Sequence, residues 1–346
     1  MKKLVLLNVF CILLSSCSKE KVPNALENMT VMGVEGYGVF TGVGDNTIIT
    51  EDGYFYINSI QGGLLRLELN GYAYGQNLEV FNPPHNEPWK VENSSMIYHQ
   101  GDIYYVAGDS IFVYASNTSD FVNPKRIIRL GAGEALRMID IEGNKLYATN
   151  NYFDVFSADL TGIDSAQYDT TVFIANYQSS EPTFGYHLIL DYHNGYLFLE
   201  SERGIDIVDI TDPSNATVIH TLGGGSMAEF RIDGNYLYLV GSQVHGNNFQ
   251  VYDITNPAEP LLLTALPYTG QEMLIIPEKQ QLYVQQAEKI RVFDISDPAN
   301  TYKTNVLSIN GLFYNNFLGD MDVRGNYLYL TSGVEVSKGV VVFDLP

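Results

Sequence analysis

Through most of the chain, apolar and polar residues alternate in runs of about four to eight positions that begin and end at Gly, Asn, Asp or Pro, the pattern of strands joined by tight turns. The alternation is also repetitive. Asp233-Gly234-Asn235-Tyr236-Leu237-Tyr238-Leu239 and Arg324-Gly325-Asn326-Tyr327-Leu328-Tyr329-Leu330 are nearly the same turn-strand unit. Looser copies are Asp52-Gly53-Tyr54-Phe55-Tyr56, Gln100-Gly101-Asp102-Ile103-Tyr104-Tyr105, Glu142-Gly143-Asn144-Lys145-Leu146-Tyr147, His193-Asn194-Gly195-Tyr196-Leu197-Phe198 and Glu278-Lys279-Gln280-Gln281-Leu282-Tyr283. The seven copies recur about 45 residues apart, a length that suits a unit of four short strands.

A second signature trails the first. It is clearest in Ile205-Asp206-Ile207-Val208-Asp209-Ile210-Thr211-Asp212-Pro213, and it recurs in Val251-Tyr252-Asp253-Ile254-Thr255-Asn256-Pro257 and Val292-Phe293-Asp294-Ile295-Ser296-Asp297-Pro298. A β-branched run that ends in Asp/Asn-Pro is a strand leaving through a tight turn, because Pro fixes φ and Asp, Asn, Ser and Thr side chains bond to nearby backbone. Asp209, Asp253, Asp294 and Asp344 therefore read as turn formers, not as a recurring catalytic acid.

The two signatures together resemble the LVIVD-repeat β-propellers of bacterial surface proteins, most strongly from Tyr186 to Pro346. The resemblance implies an all-β fold, a β-propeller of seven four-stranded blades, and it fixes no single activity. The chain ends at Val340-Val341-Val342-Phe343-Asp344-Leu345-Pro346, the third strand of a blade with no outer strand after it. An uncovered edge invites aggregation, so Met29-Thr30-Val31-Met32-Gly33-Val34 is expected to pair beside Val340–Phe343 and close the ring.

The amino terminus reads as an address. Met1-Lys2-Lys3 is basic, and the apolar run Leu4 to Leu14 is too short to span a bilayer, so the segment reads as a secretory signal. Leu14-Ser15-Ser16-Cys17 resembles the lipobox of bacterial lipoproteins. That resemblance implies cleavage after residue 16, lipidation of Cys17, a tether over residues 17–27 and one propeller domain over residues 28–346. Two or more acyl chains suffice for a stable membrane anchor. Ser18 after the Cys resembles the pattern of outer-membrane retention, with exposure at the cell surface left open.

Composition narrows the function classes. The chain has 346 residues, and 19 Lys+Arg against 40 Asp+Glu give a net charge of −21, which disfavours nucleic-acid partners. Losing residues 1–16 would remove Lys2, Lys3 and Cys11 and no acid, leaving a more acidic chain with Cys17 as its one Cys and no possible internal disulfide.

Catalytic motifs are missing: there is no Gly-x-x-x-x-Gly-Lys, no His-Glu-x-x-His and no Gly-x-Ser-x-Gly, and the His spacings do not suit a metal. No cofactor and no metal are expected. Counting back from the turn Gly along each innermost strand places one parity on a dry face between blades: Phe230, Ile232, Met321, Val323, Ile139 and Ile141. The other parity gives Asp140, Asp191, Glu229, Arg231, Asp320 and Asp322, candidate charges around a central channel.

Three longer segments, Gly71 to Ser95, Thr161 to Tyr186 and Ser308 to Phe317, are rich in aromatic residues. Tyr72, Tyr74, Trp89, Tyr177, Phe184, Phe313 and Tyr314 are the candidates for contacting a partner, since rigid rings give large contact area at little entropic cost. The expected role is a non-catalytic binding or scaffolding subunit of the envelope, membrane-bound through its anchor, that recognises another envelope protein or a glycan. The alternative is a carbohydrate-active hydrolase or lyase using Glu229, Asp320 and Asp322 as acid/base groups.

Overall fold

The structure is a computed structural model. It describes residues 29–33, 47–51, 54–59, 63–70, 73–81, 96–107, 112–117, 120–129, 136–150, 154–161, 172–176, 190–201, 204–212, 215–223, 227–241, 248–287, 289–308, 318–332 and 339–345. Among these residues the strands form seven four-stranded antiparallel sheets.

Strand β1 (Met29–Gly33) comes first in the chain and belongs to the last sheet. The first sheet is β2 (Thr47–Glu51), β3 (Tyr54–Ser59), β4 (Gly63–Asn70) and β5 (Ala73–Phe81). The second is β6 (Met96–His99), β7 (Asp102–Ala107), β8 (Phe112–Asn117) and β9 (Asp120–Arg129). The third is β10 (Leu136–Glu142), β11 (Lys145–Asn150), β12 (Asp154–Asp159) and β13 (Val172–Asn176). The fourth is β14 (Leu190–His193), β15 (Tyr196–Ser201), β16 (Gly204–Asp209) and β17 (Thr217–Leu222). The fifth is β18 (Met227–Asp233), β19 (Tyr236–Gly241), β20 (Phe249–Asp253) and β21 (Leu261–Leu266). The sixth is β22 (Glu272–Ile276), β23 (Gln281–Gln286), β24 (Lys289–Asp294) and β25 (Tyr302–Ser308). The seventh is β26 (Leu318–Arg324), β27 (Tyr327–Ser332) and β28 (Gly339–Asp344), with β1 on its outer side.

β1 pairs with β28 in the register Met29↔Phe343 through Gly33↔Gly339, so an early segment and a late one complete the same sheet. The first strands of the sheets touch in sequence: β2 with β6, β6 with β10, β10 with β14, β14 with β18, β18 with β22 and β22 with β26. β26 in turn touches β2.

The dry parity packs the sheets together. Phe230, Met321, Ile139 and Ile141 are buried, and Ile232 and Val323 are half-buried against apolar clusters. From the fourth to the sixth sheet the packing is continuous: Phe198, Ile205 and Ile207 meet Phe230, Leu237 and Leu239, and the cluster runs on through Phe249, Met273, Leu282 and Phe293. Phe249 and Phe293 stack with ring centroids 4.8 Å apart. Each such ring contributes about 1.5–3 kcal/mol by leaving water.

The turns take the conformations that their residues demand. Gly234, in the tight turn between β18 and β19, has φ +57. Gly204, where β16 begins, has φ +130, and a Cβ there would lie 1.9 Å from the Leu222 carbonyl oxygen, so no other residue fits. The recurring acids act locally. The Asp209, Asp253 and Asp294 Oδ1 atoms accept the backbone N–H groups of Thr211, Thr255 and Ser296 at 2.9, 2.8 and 2.9 Å. Asp159 accepts from the Thr161 N–H in the same way at 2.8 Å. Where resolved, the hydroxyl of the same Thr or Ser also donates, as in Thr211 to Asp209 at 2.6 Å. These bonds to the charged form, the hydroxyl's being the larger influence, hold the Asp159, Asp209, Asp253 and Asp294 carboxyls below the usual range.

Candidate functional site: the axial charges

Each innermost strand lies against the second strand of its own sheet in a matching register, which shows which residues occupy equivalent places. Asp140 stands opposite Tyr147, Asp191 opposite Phe198, Arg231 opposite Tyr238 and Asp322 opposite Tyr329. The same place holds Ile49, Ile97 and Leu274 in the first, second and sixth sheets. At this one place, charge forms an arc on the third, fourth, fifth and seventh sheets.

Arg231 is the hub of that arc. Its Nη1 is ion-paired with Glu229 and donates to the Phe230 carbonyl at 2.9 Å. Burial works to lower the guanidinium pKa. The surrounding Glu229, Glu272, Asp320 and Asp191 more than reverse this and hold it above its ordinary range. Its side chain is nonetheless 38% exposed. Glu272 is a member that counting from turn glycines misses.

Asp140 and Asp191 have a different job. Asp140 Oδ1 accepts from the Ile141 N–H at 2.8 Å, and its Oδ2 accepts from the Tyr192 N–H of the fourth sheet at 2.7 Å. Asp191 Oδ2 accepts from the Ile232 N–H of the fifth sheet at 3.1 Å. Each carboxylate therefore ties its own innermost strand to the next one around. Burial pushes the Asp191 carboxyl up to about 8, the Asp140 carboxylate adding to the rise and Arg231 opposing it. Burial raises Asp140 as well, against the pull of its two backbone donors. Asp320 and Asp322 accept from the N–H groups of Met321 and Val323, each at 2.8 Å.

Chemically, these acids are already engaged. Four of them hold backbone donors, Glu229 is spent on Arg231, and no group of three or more metal-ligating side chains occurs among the described residues. The arrangement locks strands together around a compensated cation.

The aromatic candidates are distributed differently. Tyr74 lies in β5, opposite Leu69, so residues 73–81 of the first predicted segment are an outer strand, as are 172–176 of the second. Tyr72, Trp89, Tyr177, Phe184, Phe313 and Tyr314 lie outside the described residues, as does Cys17. The strands flanking residues 82–95, 177–189 and 309–317 are described. In each case the outermost strand of one sheet ends, and the innermost strand of the next begins, at the end of the sheets opposite the Gly-Asn turns.

The LVIVD repeat family matches residues 194–221 and 224–265, the two units in which both sequence signatures are sharpest. In fold, the chain is similar to the β-propeller domain of Cps50 (Swd1) from Myceliophteria thermophila. That likeness has 9% identity, covers 92% of this chain and 100% of the other, and has a TM-score of 0.64. The chain is a repeat β-propeller. The propeller is also similar to the Neurospora crassa Pan2 WD40 domain, at 14% identity over 88% of this chain and 90% of that one, with a TM-score of 0.57. A functionally unknown protein from Desulfotomaculum acetoxidans DSM 771 matches it at 14% identity over 87% and 92% of the two chains, also with a TM-score of 0.57. At these identities the likeness carries the propeller fold and nothing about ligands. No curated protein matches the chain.

Proposed function

We propose that this propeller is a lipid-anchored envelope protein that binds a protein partner or a glycan without catalysing a reaction. Its seven sheets are the blades of one closed ring. The cyclic order of contacts among the innermost strands and the pairing of β1 with β28 support the ring. Leu14-Ser15-Ser16-Cys17 supports the anchor, with Cys17 as the lipidated residue and the outer membrane as its destination.

The observation that carries the binding role is topological. Parts of all three aromatic-rich segments, residues 82–95, 177–189 and 309–317, connect an outermost to an innermost strand, so their flanking strand ends lie at one face. Rigid scaffolds commonly present recognition residues on such connections. The candidates there are Trp89, Tyr177, Phe184, Phe313 and Tyr314, while Tyr74 belongs to the outer strand β5. The raised Asp191 carboxyl is what favours the alternative of a carbohydrate-active enzyme. Against it, both Asp140 and Asp191 are occupied by backbone donors from the next sheet.

The test is affinity purification of the full chain from its native membrane, beside a Trp89→Ala/Phe313→Ala/Tyr314→Ala variant and a Cys17→Ala variant. Loss of the co-purifying partner from the triple variant, with membrane fractionation intact, is the expected result. Loss of membrane association in Cys17→Ala is the second. An unchanged set of partners in the triple variant overturns the binding face, and membrane association without Cys17 overturns the anchor.

A further inference from the structure

The seam between the third and fourth sheets departs from the side-chain pattern of the three seams that follow it in the chain. On the third strand of a sheet, the residue two before the turn Asp faces the next sheet across from the second-strand aromatic. That residue is Ile207 opposite Phe198, Val251 opposite Tyr238 and Val292 opposite Tyr283. In the third sheet it is Ser157, opposite Tyr147. The residue that opens the second strand, paired with the turn Asp, is Tyr196 or Tyr236 in the fourth and fifth sheets, and here it is Lys145 opposite Asp159. Across the seam, the place held by Ile232 in the fifth sheet is held by Tyr192.

These exchanges open a cleft of about 490 Å³ lined by Lys145, Tyr147, Ser157, Tyr192, Asn194 and Thr211, with Ile210 and Gly195 at its border. The corresponding place between the sixth and seventh sheets, where Val292 and Gln281 stand for Ser157 and Lys145, is a cavity of about 250 Å³.

The lining is pre-ordered. The Tyr147 and Tyr192 rings stack with centroids 4.6 Å apart and planes 10° apart. The Tyr192 hydroxyl accepts from the Gly195 N–H at 2.9 Å. Thr211 gives its hydroxyl proton to Asp209 at 2.6 Å, leaving oxygen lone pairs available. Lys145, the one charged residue of the lining, stands opposite Asp159 in register, and its charge acts on the Asp159 carboxylate just outside the cleft. The cleft therefore offers several donors and acceptors, an apolar patch and a single cation whose charge is offset by the carboxylate beside it. That combination fits a compact neutral polyol with one apolar face, and the volume lies in the range of small-molecule sites.

We propose that this cleft is a binding site for a neutral hexopyranose unit, free or at the end of a glycan. The ring lies between the third and fourth sheets, and its hydroxyls bond to Lys145, Ser157, Asn194 and Thr211. The cleft sits at the Gly-Asn turn end of the sheets, opposite the aromatic connections, so the proposal does not rest on the binding face described above.

The test titrates the full chain with methyl hexopyranosides of glucose, galactose and mannose, their oligosaccharides and a methyl glucuronide, read by saturation-transfer NMR and calorimetry. At least one neutral hexopyranoside is expected to bind saturably in the millimolar range or tighter, with oligosaccharides binding more tightly if the natural ligand is a glycan end. Ser157→Ile, which restores the residue type of the fourth sheet, is expected to weaken binding by at least about tenfold while the protein stays folded. Ser296→Ala, at a turn of the sixth sheet away from the cleft, is expected to bind the sugar unchanged. Absence of saturable binding by every neutral sugar, a preference for the glucuronide, undiminished binding in folded Ser157→Ile, or loss of binding in folded Ser296→Ala each overturns the proposal.

Discussion

The seam between the fourth and fifth sheets and the seam between the third and fourth are built on the same backbone repeat and do opposite things. In the first, Tyr196, Phe198, Ile207, Phe230 and Ile232 belong to one apolar cluster. In the second, Lys145 and Ser157 replace two of those bulky side chains, and a stacked tyrosine pair borders an open cleft. The repeat dictates where a side chain points. Three substitutions on that fixed frame decide whether the seam is core or cavity.

Breaking the filled seam has the largest expected effect. Phe230→Ala removes a fully buried ring from the cluster and is expected to cost about 3–5 kcal/mol in chemical denaturation. A loss below about 1 kcal/mol would mean that the seam collapses around the gap and is not close-packed.

The axial carboxylates come next, because they bridge both seams. Asp191 binds its proton more tightly folded than unfolded, so its contribution to stability is fully present at about pH 4 and below and fades as pH rises through about 8. Asp191→Asn keeps an acceptor for the Ile232 N–H and is expected to flatten that decline, with Asp140 leaving a residual slope of the same sign. Thermal melts from pH 4 to pH 9 measure it. A variant with the wild-type slope would show that Asp191 titrates normally.

Refilling the polar seam sharpens the contrast from the other side. Ser157→Ile is expected to stabilise the fold by about 0.5–2 kcal/mol as a cavity-filling change. Destabilisation would show that Tyr192 leaves no room. The smallest effect is expected at a turn that both kinds of seam share. Ser296→Ala removes the hydroxyl donor to Asp294 but not the backbone one, and should stay within about 0.5 kcal/mol of wild type near neutral pH. At acid pH the sign is opposite to that of Asp191: the depressed Asp294 carboxyl stabilises above its ordinary range, and this is lost as pH falls through its lowered value. Ser296→Ala should shrink that acid-side loss.

The propeller repeat was legible in the sequence because its turns are spelled by residues with little conformational choice, as in Gly234-Asn235 and Gly325-Asn326. The pairing of residues 29–33 with 339–343 followed from an edge that needed a cover. The axial arc was legible where a turn glycine allowed counting. Glu272 escaped because β22 and β23 are joined by Pro277–Lys279 and by Gln280 at φ +52, two residues more than the Gly-Asn turn, which shifts the count. That Asp140 and Asp191 grip the neighbouring strands was not legible, since a donor some fifty or forty positions away belongs to the tertiary fold. The cleft did leave a trace: Ser157-Ala158-Asp159-Leu160-Thr161 aligns with Ile207-Val208-Asp209-Ile210-Thr211, and the Ser stands where the fourth, fifth and sixth sheets carry Ile207, Val251 and Val292. Its meaning depended on knowing what lay across the seam.

The union of β1 with β28 constrains how the molecule comes into being. A nascent or translocating chain holds Met29–Gly33 long before Gly339–Phe343 emerge to pair with it, so the seventh sheet is completed late and across roughly 300 positions of sequence. Until then both apolar ribbons lack their partner, and a slow meeting of the two leaves the folding chain open to association with other copies.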